Sequence, residues 1–113
     1  MKILPLKAKE KGTYVVTLNY YDEDGDALTP TTMTWTLSNP AGETINSRAD
    51  VSIAVPSTQN NVVLSGLDLA ITESASEVMR VFTIEGTYTS SYGVGLPLND
   101  EAGFYITNLK AVS

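Results

Sequence analysis

Hydrophobic and polar residues alternate with a period of two in several separate runs of this chain. Successive residues of a β-strand point to opposite faces of a sheet, so each run predicts a strand with one apolar and one polar face. The residue types agree, because valine, isoleucine, threonine, tyrosine and phenylalanine favour strands. The apolar positions of these runs are Tyr14, Val16, Leu18 and Tyr20; Met33, Trp35 and Leu37; Val51, Ile53 and Val55; and Phe82, Ile84 and Tyr88.

Turn-forming residues separate these runs. Asp24-Gly25 follows the first strand, residues 39–42 (NPAG) predict a tight hairpin turn, and Pro56 ends the third run because proline cannot donate to a strand ladder. A further strand is predicted at 62–64, and a last one at 103–109. About seven strands in this rhythm predict an all-β fold, an immunoglobulin-like antiparallel sandwich of two sheets. Residues 67–76 lack alternation and are predicted to cross between the sheets, with a short helical turn there.

Trp35 is the residue that points most directly to this fold type. It is the only tryptophan, and it lies between two apolar residues of the same strand face. A buried tryptophan on the third strand is a hallmark of immunoglobulin-like sandwiches, although the cysteine pair that usually flanks it is absent. We therefore place Trp35 in the core. The predicted inward set is Leu18, Trp35, Ile53, Leu64, Phe82 and Ile84.

Composition limits the chemistry open to the chain. Its 113 residues fit one domain spanning 1–113, and it has neither cysteine nor histidine. Disulfides, thiolate metal sites and catalytic groups built on Ser-His-Asp or Cys-His are therefore excluded, and no cofactor is predicted. The formal net charge of −6 argues against binding to nucleic acid or to an anionic membrane, which needs clustered lysine and arginine.

The first eleven residues differ in charge from the rest. They carry a net +3, and the remainder sums to −9. One interpretation is a basic arm, with Lys7, Lys9 and Lys11 docking on an acidic partner or on another copy of the chain. The other is a flexible, solvated terminus. Pro5 interrupts the short apolar run here, and no segment approaches the ~20 apolar residues that span a bilayer. We expect neither a signal peptide nor a membrane span, and a cytoplasmic protein unless other machinery exports it.

The acidic segment 22–26 (DEDGD) is the stretch most suggestive of metal binding. Calcium prefers carboxylate oxygens from a flexible loop, which makes Asp22, Asp24 and Asp26 candidate ligands. The spacing does not fit an EF-hand, because the glycine is fourth rather than sixth and Met33 stands at position twelve. Asp-Gly also favours a solvated turn between strands, and this is the interpretation we favour.

No arrangement in the sequence predicts catalysis. A glycosidase needs two carboxylates facing each other across a cleft, and nothing here indicates a cleft. No motif supports a Ser-Lys pair, and residues 93–95 (GVG) lack the lysine and helix start of a phosphate loop. We predict that the chain is not an enzyme. The acids left as candidates for acid-base chemistry are Glu73, Glu77, Glu85, Asp100 and Glu101.

Residues 90–98 are predicted to form the loop of a mobile hairpin tip, and they are the first candidate for contact with a partner. Tyrosine is favoured at protein interfaces, and loops at one end of a sandwich commonly bind. The contact candidates are Tyr92, Val94 and Leu96. The alternative interpretation is that Tyr88 belongs to the core and the rest is an ordinary loop.

In the run TLNYYDEDGDALTPTTMTWTLSNPAGETINSR, a strand ends in an acidic Asp-Gly turn, and a Thr-Trp-Thr-Leu strand then leads into a hairpin ending in Ile-Asn-Ser-Arg. The later pieces are VVLSGLDLA, RVFTIEGTY and GLPLNDEAGFYITNL. Together they resemble small immunoglobulin-like proteins of tailed bacteriophages and prophages. The resemblance implies a virion-associated domain that joins or decorates head, neck or tail, assembled in the host bacterial cytoplasm, with no catalytic residues carried over.

Two function classes follow. The first is a structural or interaction protein of a phage particle, which binds other virion proteins or itself through loops and strand edges. The second is a carbohydrate- or cell-surface-binding sandwich, which needs exposed aromatic residues. Because Trp35 is placed in the core, Tyr21, Tyr92 and Tyr105 would have to supply them.

Overall fold

The computed structural model describes residues 1–112, and these residues form eight strands and one short 3-10 helix. The strands are β1 (Lys2–Ile3), β2 (Ala8–Lys9), β3 (Thr13–Asn19), β4 (Thr32–Ser38), β5 (Val51–Ser52), β6 (Gln59–Ser65), β7 (Glu77–Ser90) and β8 (Gly93–Thr107), and the 3-10 helix spans Gly66–Leu69. The helix lies where the sequence predicts a helical turn.

The strands form two sheets. In the large sheet the order is β1-β8-β7-β4-β5, and β2 also pairs with β8; the small sheet consists of β3 and β6. Strands β1 and β2 run parallel to β8, whereas the remaining pairs are antiparallel. The prediction of a mostly β chain with two packed sheets is confirmed.

The core lies between the two sheets and has aromatic rings at its centre. Trp35 of β4 is buried and stacks on Phe82 of β7, with ring centroids 5.3 Å apart. Tyr14 of β3 stacks on Phe104 of β8 at 4.7 Å and so joins the small sheet to the large one. The predicted core positions of Trp35, Leu64, Phe82 and Ile84 are confirmed, whereas Leu18 and Ile53 are half-buried at its margin.

The strand predicted over residues 51–55 is wrong in length. β5 pairs with β4 only through Val51 and Ser52, and Val55 is 76 % exposed. This segment lies at the edge of the large sheet, where β4 is its neighbour on one side. The N–H of Ile53 still donates to the carbonyl of Met33 at 2.9 Å, but the chain then bends at Ala54 and Val55 and leaves the sheet before Pro56.

The loop predicted over residues 90–98 lies at a hairpin tip, as expected, but its predicted length is wrong. β7 and β8 form one long hairpin whose turn contains only Ser91 and Tyr92, and β8 begins at Gly93 rather than at Gly103. Pro97 is tolerated inside β8, opposite Thr87, because β1 and β2 pair only with later residues of β8 and leave this part of it as an edge.

Arg80 of β7 is a fully buried cation that anchors the segment crossing between the sheets. Its guanidinium donates to both carboxylate oxygens of Glu73, at 2.8 and 2.9 Å, and to the carbonyl of Ala70 at 3.3 Å. The hydrogen bond from Arg80 is the main cause that lowers the pKa of Glu73 to about 2. The alternation of β7 gives the signal for this inward position, since Arg80 lies between the inward residues Val78 and Phe82.

Asp68, in the 3-10 helix, is the second deeply buried charge. Its carboxylate accepts hydrogen bonds from Asn46 and Arg48, both at 2.8 Å, and from the N–H of Ser65 at 3.1 Å. Burial opposes ionisation, but these hydrogen bonds outweigh it and lower the pKa of Asp68. They hold residues 43–50, where Asn46 and Ser47 have positive φ, against the small sheet.

The first eleven residues lie along the outer edge of β8. β1 pairs with residues 102–103 and β2 with residues 106–107, and Ala8 is buried. The hydroxyl of Tyr14 donates to the carbonyl of Leu6 at 2.7 Å. In this structure the segment is part of the large sheet rather than a detached arm.

Candidate interaction surfaces

The β7–β8 hairpin extends beyond the rest of the large sheet. β4 pairs with β7 only as far as Thr87, so residues 88–96 pair only with each other among the residues described. Strands of 14 and 15 residues are roughly 45 to 50 Å long at about 3.3 Å per residue. Only the long axis of the molecule, 52 Å against 25 and 24 Å, can contain them. The hairpin therefore forms one end of an elongated molecule, which we call the hairpin end.

Two large apolar side chains are exposed at the tip of this hairpin. Tyr92 is 72 % exposed and Val94 is 86 % exposed. Leu96 is half-buried, because it packs over Gly93. Of the contact residues predicted from the sequence, Tyr92 and Val94 are thus available to a partner, and Leu96 is partly covered.

Glu23 attaches the acidic segment 22–26 to the hairpin. Its carboxylate accepts hydrogen bonds from the hydroxyls of Ser90, at 2.6 Å, and Tyr88, at 3.4 Å. Tyr88 is buried, so burial and, after it, the negative charge of Glu23 raise its pKa. The acidic segment and the hairpin tip therefore belong to one end of the molecule.

Asp22 shapes the acidic segment as a turn. Its Oδ1 accepts the N–H groups of Asp24 and Asp26, both at 2.9 Å, and its carbonyl accepts the N–H of Gly25 at 3.0 Å. Gly25 has φ +83°, a conformation that favours glycine. Within residues 1–112, no cluster of three or more acidic, histidine or cysteine side chains is placed to hold a metal ion.

The opposite end, which we call the base end, contains the predicted basic residues. Lys9 pairs with Thr107 at the end of β8, and the N–H of Lys11 donates to the carbonyl of Leu69 at 3.1 Å. Lys7 forms an ion pair with Glu77 at 2.8 Å. Among the described residues, Lys9 and Lys11 have no ion-pair partner, so their charges are available to a partner's acids.

The base end also exposes leucine side chains. Leu6 is 71 % exposed and Leu67 is 62 % exposed, and Leu109 is exposed where its N–H donates to the carboxylate of Glu10. Sequence patterning did not identify these residues, since Leu6 and Leu109 lie outside the strands and Leu67 lies in the 3-10 helix, where no alternation marks them. Each end of the molecule therefore combines apolar and charged groups.

Charge is divided along the long axis. Lys2 pairs with Ala102, and all seven lysines and arginines lie level with this pair or nearer the base end. Among the described residues, none of the acids that lie nearer the hairpin end forms an ion pair. They are Asp22, Glu23, Asp24, Asp26, Asp50, Glu85, Asp100 and Glu101.

A groove of about 350 Å³ lies between β3 and β8, beside the edge of the small sheet. Buried Phe82 and Ile84 form part of its lining, and Lys2, Asp100 and Glu101 lie along it. Asp100 and Glu101 are successive residues of one strand, so their side chains point to opposite faces of the sheet. They do not form the facing carboxylate pair that glycoside hydrolysis requires.

The tyrosines that would form a sugar-binding surface are separated. Tyr105 pairs with Met79 toward the base end, Tyr92 lies at the hairpin tip, and Tyr21 lines the groove. They do not form a single aromatic platform.

Comparisons of the chain with protein-family models, with curated proteins and with solved structures found no match. In the described part of the chain, no helix has the length and apolar character needed to cross a membrane.

Proposed function

We propose that this chain is a non-enzymatic structural and interaction module of a bacteriophage or prophage particle. In this proposal it joins or decorates the head, neck or tail, and it is assembled in the host bacterial cytoplasm. The support from the sequence is the resemblance described above, which extends over nearly the whole chain.

We further propose that the sandwich is of immunoglobulin type. The arrangement β8-β7-β4 opposite β3-β6 corresponds in chain order to the two sheets of that fold. Trp35 lies on the strand where such sandwiches carry their core tryptophan, and its stacking on Phe82 agrees with that role.

The observation that carries the functional proposal is the hairpin end. A two-stranded hairpin that extends past its sheet and exposes Tyr92 and Val94 leaves apolar surface in water without a structural role in the subunit. Exposed apolar groups of this kind, with a tyrosine among them, are typical of protein contact surfaces. We infer that a neighbouring protein of the particle covers this end.

Mass spectrometry of purified particles tests this proposal, together with the identity of the neighbouring genes. We expect the chain in the particles, and its gene among portal, terminase or tail genes. The double change Tyr92→Ser and Val94→Ser should lower incorporation, and Val63→Ser, at an exposed position of the small sheet, should not. Absence of the protein from particles, or equal incorporation of both variants, would contradict the proposal.

A further inference from the structure

The two ends of the molecule differ in ways that make them complementary. The hairpin end offers Tyr92 and Val94, with Glu23 bonded to Ser90 beside them. The base end offers Leu67, in the 3-10 helix whose Leu69 carbonyl accepts the N–H of Lys11, and Leu6, in the connection that leads to Lys9. Burying apolar side chains from both ends against each other would remove exposed hydrophobic surface from water on both sides.

Charge selects one orientation of such a contact. Two hairpin ends would bring together acids that have no cation among them, and like charges facing each other at an interface are costly. A hairpin end facing a base end instead places acids such as Asp24 and Asp26 near Lys9 and Lys11. The division of charge along the long axis therefore favours a head-to-tail arrangement.

We propose that copies of this chain associate head to tail, the hairpin end of one copy seated on the base end of the next. This inference rests on the proposed role of the hairpin end as a contact surface, and it names a second copy as a partner. Such an interface is heterologous: it uses two different patches, so each added copy leaves both patches free at the ends of the assembly. Successive copies form a ring where the rotation closes and a filament where it does not.

A mixing experiment tests this arrangement. The hairpin-end variant carries Tyr92→Ser and Val94→Lys, the base-end variant carries Leu6→Glu and Lys9→Glu, and Val63→Lys is the control away from both ends. Each is followed by sedimentation velocity over concentrations from about 10 μM to 1 mM, a range suited to weak association.

We expect the wild type and the control to grow beyond dimers as concentration rises. Each end variant alone should be monomeric, because one of its two patches is blocked. A 1:1 mixture of the two variants should form a dimer that does not grow, since the intact hairpin end of one fits the intact base end of the other. A two-fold interface between identical patches would not be restored by mixing.

Three results would overturn the inference: a wild type that is monomeric at every concentration, an end variant that still associates alone, or a mixture that stays monomeric. If circular dichroism shows that either double variant is unfolded, Asp24→Lys serves as the hairpin-end variant and Lys9→Glu as the base-end variant. The same outcomes are then expected for each variant alone and for their mixture. If the mixing experiment fails, the virion role is still tested separately by incorporation into particles. If the chain self-associates but is not incorporated, only the virion role is contradicted.

Discussion

Arg80 and Glu73 form an ion pair that supports the interior of the protein. The buried guanidinium of Arg80 needs an anion, because an unpaired charge in the interior is strongly destabilising. Glu73 supplies it from the crossing segment, with a bidentate pair of bonds at 2.8 and 2.9 Å. One ion pair therefore fixes the path between the two sheets.

The same pair predicts a pH dependence of stability. The folded pKa of Glu73, about 2, lies below its ordinary value of 4.5. The stabilisation is therefore present above pH 4.5 and is lost as pH falls toward 2. In urea titrations at a series of pH values, we expect Glu73→Gln to lower the unfolding free energy at pH 7 and to reduce its decline over that window.

Glu85→Gln, at an exposed position of β7, is the matched control and should keep the wild-type decline. An unchanged pH profile for Glu73→Gln would show that the pair with Arg80 does not support the fold.

Trp35 gives the prediction for the core. Removing its ring opens a cavity against Phe82, and such large-to-small changes cost about 3–5 kcal/mol. We therefore expect Trp35→Ala to lower the unfolding free energy by about that amount in chemical denaturation. Tyr92→Ala, at the exposed hairpin tip, should change it by less than about 0.5 kcal/mol. Equal effects of the two changes would contradict the assignment of Trp35 to the core.

At the level of strands, the sequence predicts those elements whose pattern follows from burial on one face. The runs around Val16 and Trp35 alternate because each has one face in the core, and they become β3 and β4. The pairing of β1 and β2 is different, since two residues paired to a distant strand leave no local period. The loop prediction at the hairpin tip is wrong in length for another reason. Glycine and proline usually mark a loop, but an edge strand accommodates them.

The two ends of the molecule could be predicted only in part. Tyr92, Val94 and the lysines stand out by residue type. Their placement at opposite ends of the molecule does not follow from the sequence, because it depends on which distant segments meet. Glu23 reaches Ser90 across 67 residues of chain, and this contact places the acidic segment beside the hairpin.

A substitution at Gly86 tests how closely β7 approaches β4. A Cβ at this position would collide with the carbonyl oxygen of Thr32 and would lie 2.7 Å from Cε of Met33. Overpacking of this kind costs about 1–3 kcal/mol, so Gly86→Ala should lower the unfolding free energy by that amount. Thr89→Ala, at an exposed position of the same strand, should change it by less than about 0.5 kcal/mol. A neutral Gly86→Ala would mean that the two strands are farther apart than described here.

At the scale of the whole molecule, the elongated shape keeps the acidic end and the basic end far apart. The molecule is 52 Å long, and its acids lie toward one end, so the two ends differ in charge. The small sheet between those ends is uncharged, because neither β3 nor β6 contains a lysine, arginine, aspartate or glutamate. Two surfaces could therefore bring copies together, and they differ in their electrostatics.

Salt distinguishes these two surfaces by the sign of its effect. Opposite charges across a head-to-tail contact are screened as the Debye length falls to about 10 Å at 0.1 M salt, so the dissociation constant should rise with salt. Copies that each carry −6 and meet through the uncharged small sheet repel one another, and salt would strengthen that contact instead. Sedimentation equilibrium at several salt concentrations measures the direction, and Asp24→Asn should flatten the dependence for a head-to-tail contact. Association that tightens with added salt would contradict the head-to-tail arrangement.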